Sequence, residues 1–421
     1  MLSLAVLAGL VAVMASIAAS QHQAIKAQIN REERSRALLA VQSGVQRAVA
    51  TLAAITQAGQ SGATTTTTAG SSTANTTAAT TTQDDWSTLG QTGDENFVVG
   101  NLKFRMQIVD GSSFLNVNTL TTAQLNNLPL TQDEIASWLD YRSAGTTPRT
   151  LGGKDEYYNN LQNPYDAKEA NFETVDELLQ VKGLTAEHIY QVRTDVQTSA
   201  PPLQDVNGNQ LPLSAVLTAV SWSAKQTATG GNLINVNTAT NAARISRLLS
   251  PGVAAAVNGR RNWTSLGQLC GIRGASTTDL SNILNNFAVN NTRRVSGLVN
   301  INTATQSVLQ VLPGLTPDLA AAIVQQQSQG FTSLGDITRV NGITGAVLSQ
   351  LADSITANSQ TFIVRVIGTA GSTSIPYEAI LNVQNGVPQI IQMQEQPFTD
   401  MITRWGWNDS TSTDTVLKDN S

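Results

Sequence analysis

A chain of 421 residues is too long for one ordinary hydrophobic core, so several small units are expected. Only 13 % of its residues are charged and the net charge is −5, which gives little electrostatic steering and argues against a surface built for polyanions. The lone cysteine, Cys270, excludes an internal disulfide, a CxxC pair and a cysteine zinc site.

Leu2 to Ala19 carries no charge and is built mostly of Leu, Val, Ala, Met and Ile, with a single Gly. Its length is just enough to cross a hydrocarbon core of about 30 Å at about 1.5 Å per residue. A signal-peptide core is the competing reading. The helical pattern does not stop there, however. Ile25, Ile29, Leu38, Leu39, Val41, Val45, Val49, Leu52 and Ile55 continue it as an amphipathic stripe, and no Pro intervenes. One helix over residues 1–58 is predicted, beginning in a membrane and emerging as a spine.

Residues 59–92 hold a Thr/Ala/Ser/Gly tract that cannot bury enough apolar surface to fold. It is read as a flexible linker, open to O-glycosylation. Next, Leu102, Phe104, Met106 and Ile108 alternate with Lys103, Arg105 and Gln107, the pattern of a half-buried strand. Similar strands return only near the far end, at 361–368, 377–383 and 389–395, with Asn385-Gly386 as a hairpin turn. A sheet split over residues 93–112 and 359–398 implies that what lies between is an inserted domain. Residues 399–421 read as a polar tail.

The insert carries one motif three times: Leu115-Asn116-Val117-Asn118-Thr119, Ile234-Asn235-Val236-Asn237-Thr238 and Val299-Asn300-Ile301-Asn302-Thr303. Each copy precedes a helix, a Pro/Gly turn, a second helix, an aromatic-Thr step and another Gly turn. A period of roughly 60 residues or more marks a repeated supersecondary unit. Thr303 and Thr238 are expected as helix N-caps, and Gly314 as a helix stop. Units are expected at 113–203, 233–290 and 291–358, with 204–232 as a linker. The pattern is the helix-hairpin-helix.

Such hairpins can bind DNA phosphates through backbone N–H groups. Here the hairpins at Gly183 and Gly314 lack a second Gly, and the basic pairs Arg260-Arg261 and Arg293-Arg294 read as a solvated face. No catalytic constellation is present in the sequence. His22 and His188 are far apart, and no phosphate loop occurs. One chemical signal remains. Asp140, Asp155 and Glu156 flank a polar loop, with Asp166 and Glu169 nearby, and hard oxygen ligands of this kind suit Ca²⁺. The competing reading is that they cap helices and solvate the loop.

Membrane helix, split sheet and inserted Asn-x-Asn-Thr repeats together resemble the minor pseudopilin K family of the type II (general) secretion system. The join from Val109 to Asn118, the stretch Ile135 to Asp140 and the segment Gly153-Lys154-Asp155-Glu156-Tyr157-Tyr158 look like that family. The resemblance implies an α+β fold: a long pilin-like helix, a small antiparallel sheet and a large all-α insert, here with three repeats instead of two. It also implies calcium near Asp140, Asp155 and Glu156. The implied partners are the I and J minor pseudopilins and the major pseudopilin. The implied place is the bacterial inner membrane, spanned once by residues 2–19, with the bulk in the periplasm. The implied role is to initiate or cap the pseudopilus at its tip during protein export, without catalysis. Ala5 stands where most pilins carry Glu, which fits a tip subunit. The alternative is a membrane-tethered helix-hairpin-helix DNA receptor of the competence type.

Overall fold

The computed structural model describes residues 2–61, 79–90, 93–196, 200–396, 402, 405–407 and 413–416. A single helix, α1 (Leu2–Ser61), runs unbroken, because no Pro interrupts its ladder and its glycines are isolated. The side chains of residues 2–9, 11, 12 and 55–61 lie outside the described set, so the membrane span expected over 2–19 does too, in large part. Among the described residues no helix is long and apolar enough to cross a membrane. The Thr-rich stretch 62–78 also lies outside.

Six strands form one sheet: β1 (Glu95–Val99), β2 (Leu102–Asp110), β3 (Thr361–Ala370), β4 (Thr373–Gln384), β5 (Val387–Glu395) and β6 (Thr413–Val416). Their order is β5-β4-β3-β2-β1-β6. All pairs are antiparallel except β1 with β6, which is parallel. The split sheet is therefore real, and its halves meet where Asp110 faces Phe362. Two edges differ from expectation. Thr413–Val416 belongs to the sheet, although residues 399–421 read as a tail. Trp405 and Trp407 are buried on Ile367, and Trp407 Nε1 donates to Gln107 Oε1 at 2.9 Å.

The period-two alternation of β2 and β3 puts Phe104, Met106, Val364 and Val366 on one face. Ala40, Val41, Val45, Ala48 and Leu52 of α1 pack onto it. The approach is close. A Cβ on Gly44 would lie 2.8 Å from Val366 Cγ1, and one on Gly368 would run into the Ala37 carbonyl.

Between β2 and β3 lie the helical units, sharing one continuous core. Each is closed by a two-residue parallel ladder. Leu115–Asn116 pairs with Leu217–Thr218, Ile234–Asn235 with Phe287–Ala288, and Val299–Asn300 with Ile355–Thr356. The stretch 204–232 is thus more than a linker, since it supplies the closing strand of the first unit. Trp222–Ala224 also pairs with Arg294–Ser296. The apolar cores of sheet and insert are distinct, but a polar seam joins them. Buried Asp110 accepts from Asn300 Nδ2 (2.8 Å) and Thr303 Oγ1 (2.7 Å), and Asn300 also donates to the Thr80 carbonyl at 2.9 Å. Thr80, at the end of the Thr-rich tract, is therefore docked on the third unit, its N–H donating to the Ala357 carbonyl at 2.9 Å.

Candidate functional site

The triplicated motif proves to be a staple. In each copy the first Asn turns its Oδ1 back to the N–H of the second: Asn116 to Asn118 (2.9 Å), Asn235 to Asn237 (2.9 Å) and Asn300 to Asn302 (3.1 Å). The second Asn then holds three chain segments at once. Asn302 accepts from Phe331 N (2.7 Å) and donates to the carbonyls of Phe331 (3.0 Å) and Ala357 (3.5 Å). Asn237 does the same with Trp263 and Val289, and Asn118 with Phe172 and Ala219. Only a side-chain amide offers an acceptor and two donors at this length. The motif therefore recurs for folding. The expected N-caps shift accordingly. Thr303 is spent on Asp110, and Thr305 caps the following helix instead, accepting from Val308 N. Thr238 makes no side-chain cap bond.

The hairpins have the backbone of the helix-hairpin-helix. Gly183, Gly314 and Gly342 have φ of +86°, +82° and +90°, which side chains rarely adopt. Their electrostatics do not suit phosphate. In the second unit the carboxylate of Asp279 accepts from Ser250 N (2.7 Å) and Ser276 N (3.0 Å), so it closes the N-termini of both Pro251–Asn258 and Thr277–Asn286. These bonds hold its pKa below the usual carboxylate value against the opposing effect of burial. In the first unit Glu134 lies beside Gly183 and pairs with Arg193 at 3.1 Å. In the third, Arg339 is paired with Asp336 at 2.9 Å.

The expected calcium residues do not converge. Asp140 is buried and taken up by Arg149: Oδ2 accepts from the backbone N at 2.8 Å and Oδ1 from Nη1 at 2.5 Å. Asp155 accepts from Ala167 N at 2.8 Å, and Glu156 is exposed. Asp166 accepts from Asn159, and Glu169 faces Lys154 at 3.3 Å. Among the described residues no group of three or more His, Cys, Asp or Glu side chains is gathered for a metal. Cys270 is buried, and burial raises its thiol pKa to about 12. His188 is bonded to Glu134 (2.9 Å) and the Gly183 carbonyl (3.0 Å).

Exposed apolar side chains are concentrated on α1, with others on β5 at Val387, Ile390, Ile391 and Met393. Leu10, Val13, Met14, Ile17, Ile25, Ile29 and Leu39 are exposed. The stripe read from Ile25 to Ile55 is therefore divided. Val41, Val45 and Leu52 face the chain's own sheet, while Ile25, Ile29 and Leu39 are left for something else. The side chain of Ile55 lies outside the described set.

Residues 114–196 match the family described as type II secretion system (T2SS), protein K, and residues 295–356 match the helix-hairpin-helix motif. Among solved structures, the chain is similar to one in "The Crystal Structure of the GspK-GspI-GspJ complex from enterotoxigenic Escherichia coli Type 2 Secretion System". Identity is 12 %, the TM-score is 0.50, and the match covers 88 % of this chain and 99 % of that one. The likeness is one of fold. No curated protein matches the chain.

Proposed function

We infer that this chain, whose first helical unit is of the type II secretion protein K family, serves as a minor pseudopilin. The observation that carries the reading is an arrangement. A unit of that family is inserted between β2 and β3 of a sheet that rides on the second half of a long N-terminal helix. The first half of that helix exposes an apolar surface that its own chain does not cover, and such a surface marks contact with lipid or protein.

In this reading residues 2–19 anchor the chain in the bacterial inner membrane, with the bulk in the periplasm. Ile25 and Ile29 pack against the helices of I- and J-type minor pseudopilins, with the major pseudopilin following below. The subunit starts or caps the pseudopilus at its tip, for protein export across the outer membrane. Its role is assembly and not catalysis.

Deleting the gene should abolish or strongly reduce export while intracellular levels of the exported enzymes stay unchanged. Normal export in the deletion strain would overturn the proposal. A finer test uses Ile25→Asp with Ile29→Asp, which should leave the melting temperature unchanged and remove cross-links to the I- and J-type subunits.

A further inference from the structure

We propose that the ammonium of Lys154 is the resident cation of the first helical unit, standing where the loop's carboxylates had suggested calcium. The Lys154 side chain is only 4 % exposed, while Lys182 meets the same loop at the Gly152 carbonyl (2.9 Å). Lys154 Nζ donates to the carbonyl of Asp140 at 2.7 Å, to the carbonyl of Ser143, and to Glu169 Oε1 at 3.3 Å. Three N–H donors meet three oxygens, so the ammonium is fully satisfied although it is buried.

Two of those oxygens have a reason to want a cation. Asp140 and Ser143 lie at the C-terminal end of the helix Gln132–Arg142, where the helix dipole is negative and the Asp140 carbonyl has only the long bond from Ser143 N, at 3.3 Å. The third is brought in by an unusual backbone. Glu169 has φ +50°, which a side chain of its size rarely adopts, and its N–H is tied to the Tyr141 carbonyl at 2.8 Å. The same contact that holds this conformation places its carboxylate at Lys154. Meanwhile the Asp140 carboxylate is neutralised from the other side by Arg149. A dication added here would meet an ammonium and a guanidinium before it met free oxygen. The loop carries its own positive charge, and the unit folds without a metal ion. This conclusion does not depend on the secretion role.

Thermal unfolding of the full chain in detergent, with calcium chloride and then with EGTA, should give one melting temperature. A lower value in EGTA would overturn the proposal. Lys154→Met should lower the melting temperature by a few degrees and raise amide exchange between residues 140 and 169. A Lys154→Met chain as stable as the parent would also overturn it. The decisive variant is Lys154→Glu, which turns the nest into an all-oxygen one of carbonyls and carboxylates. It should be destabilised in EGTA and recover in millimolar calcium, because an ion that binds only the folded form stabilises it by mass action. A Lys154→Glu chain indifferent to calcium would show that these oxygens are no cation nest.

Discussion

At the scale of single residues, the chain spends its polar side chains on holding backbone. Asn302 is fully buried and carries one acceptor and two donors to two other segments. Asn302→Ala would strand Phe331 N–H and two carbonyls in the core. The expected loss is about 2–4 kcal/mol, larger than a lone hydrogen bond because several partners are orphaned together. A urea midpoint shift with unchanged slope would check it, and a variant within about 0.5 kcal/mol of the parent would disprove the staple. Gly152 makes a second residue-scale test. A Cβ there would collide with the Asp140 carboxylate, so Gly152→Ala should loosen Arg149 and raise amide exchange through the loop.

At the scale of elements, the docking of α1 on the sheet rests on small residues as much as on apolar ones. Alanine normally gains about 1 kcal/mol over glycine through backbone entropy. At Gly368 the new Cβ would run into the Ala37 backbone carbonyl, which cannot move aside as a flexible side-chain end can. Overpacking should win, so Gly368→Ala is expected to destabilise the helix–sheet body by about 1–3 kcal/mol. Thermal unfolding would decide the sign. The helices of the insert show a related economy. Most are short, such as Gln306–Leu309 and Leu266–Cys270, too short to stand alone. Caps such as Thr305 and Ser265 and the two-residue ladders stabilise them, which explains why hydrophobic periodicity located the units but not their closing strands.

At the scale of the whole molecule, two acids sit between the sheet and the helical units. Burial raises the pKa of Asp110, against the lowering effect of its bonds from Thr303, Asn300 and Ser112. Burial likewise raises Glu378, with Arg365 lowering it and Asp176 of the first unit raising it further. Protonation therefore favours the folded form at both. That gain is complete below the ordinary carboxylate value, about 4, and is lost as pH rises through the higher folded values. The stability advantage of the parent over Asp110→Asn should be largest in acid and shrink as pH rises. An advantage that grows with pH would refute the assignment.

Charge distribution bears on the DNA alternative at the same scale. Residues 233–296 hold seven of the 25 basic residues and one of the 30 acidic ones, hence +6 against −11 elsewhere. Yet Asp279 occupies the helix ends where phosphate would sit. Duplex DNA should bind no better than about 10⁻⁴ M at physiological salt. Micromolar, salt-sensitive binding lost in Arg260→Glu with Arg261→Glu would reverse that conclusion.

The sequence by itself determined the long helix, the split sheet, the three repeats and their hairpin turns, because each rests on local periodicity or a local backbone requirement. It also carried the family resemblance, through the order of those parts. Tertiary structure decided what the polar residues do. Asn302 and Asp110 act on segments far away in the chain, and no spacing rule points to Phe331 or Ala357. The same holds for Val41, Val45 and Leu52, which share a stripe with Ile25 and Ile29 in sequence but turn onto the sheet. It holds for the carboxylates of the first unit as well. Asp140 and Asp155 carry the hard oxygens that suit calcium. Whether oxygens converge on an ion depends on which cation reaches them first in the fold, and there Arg149 and Lys154 are the nearest.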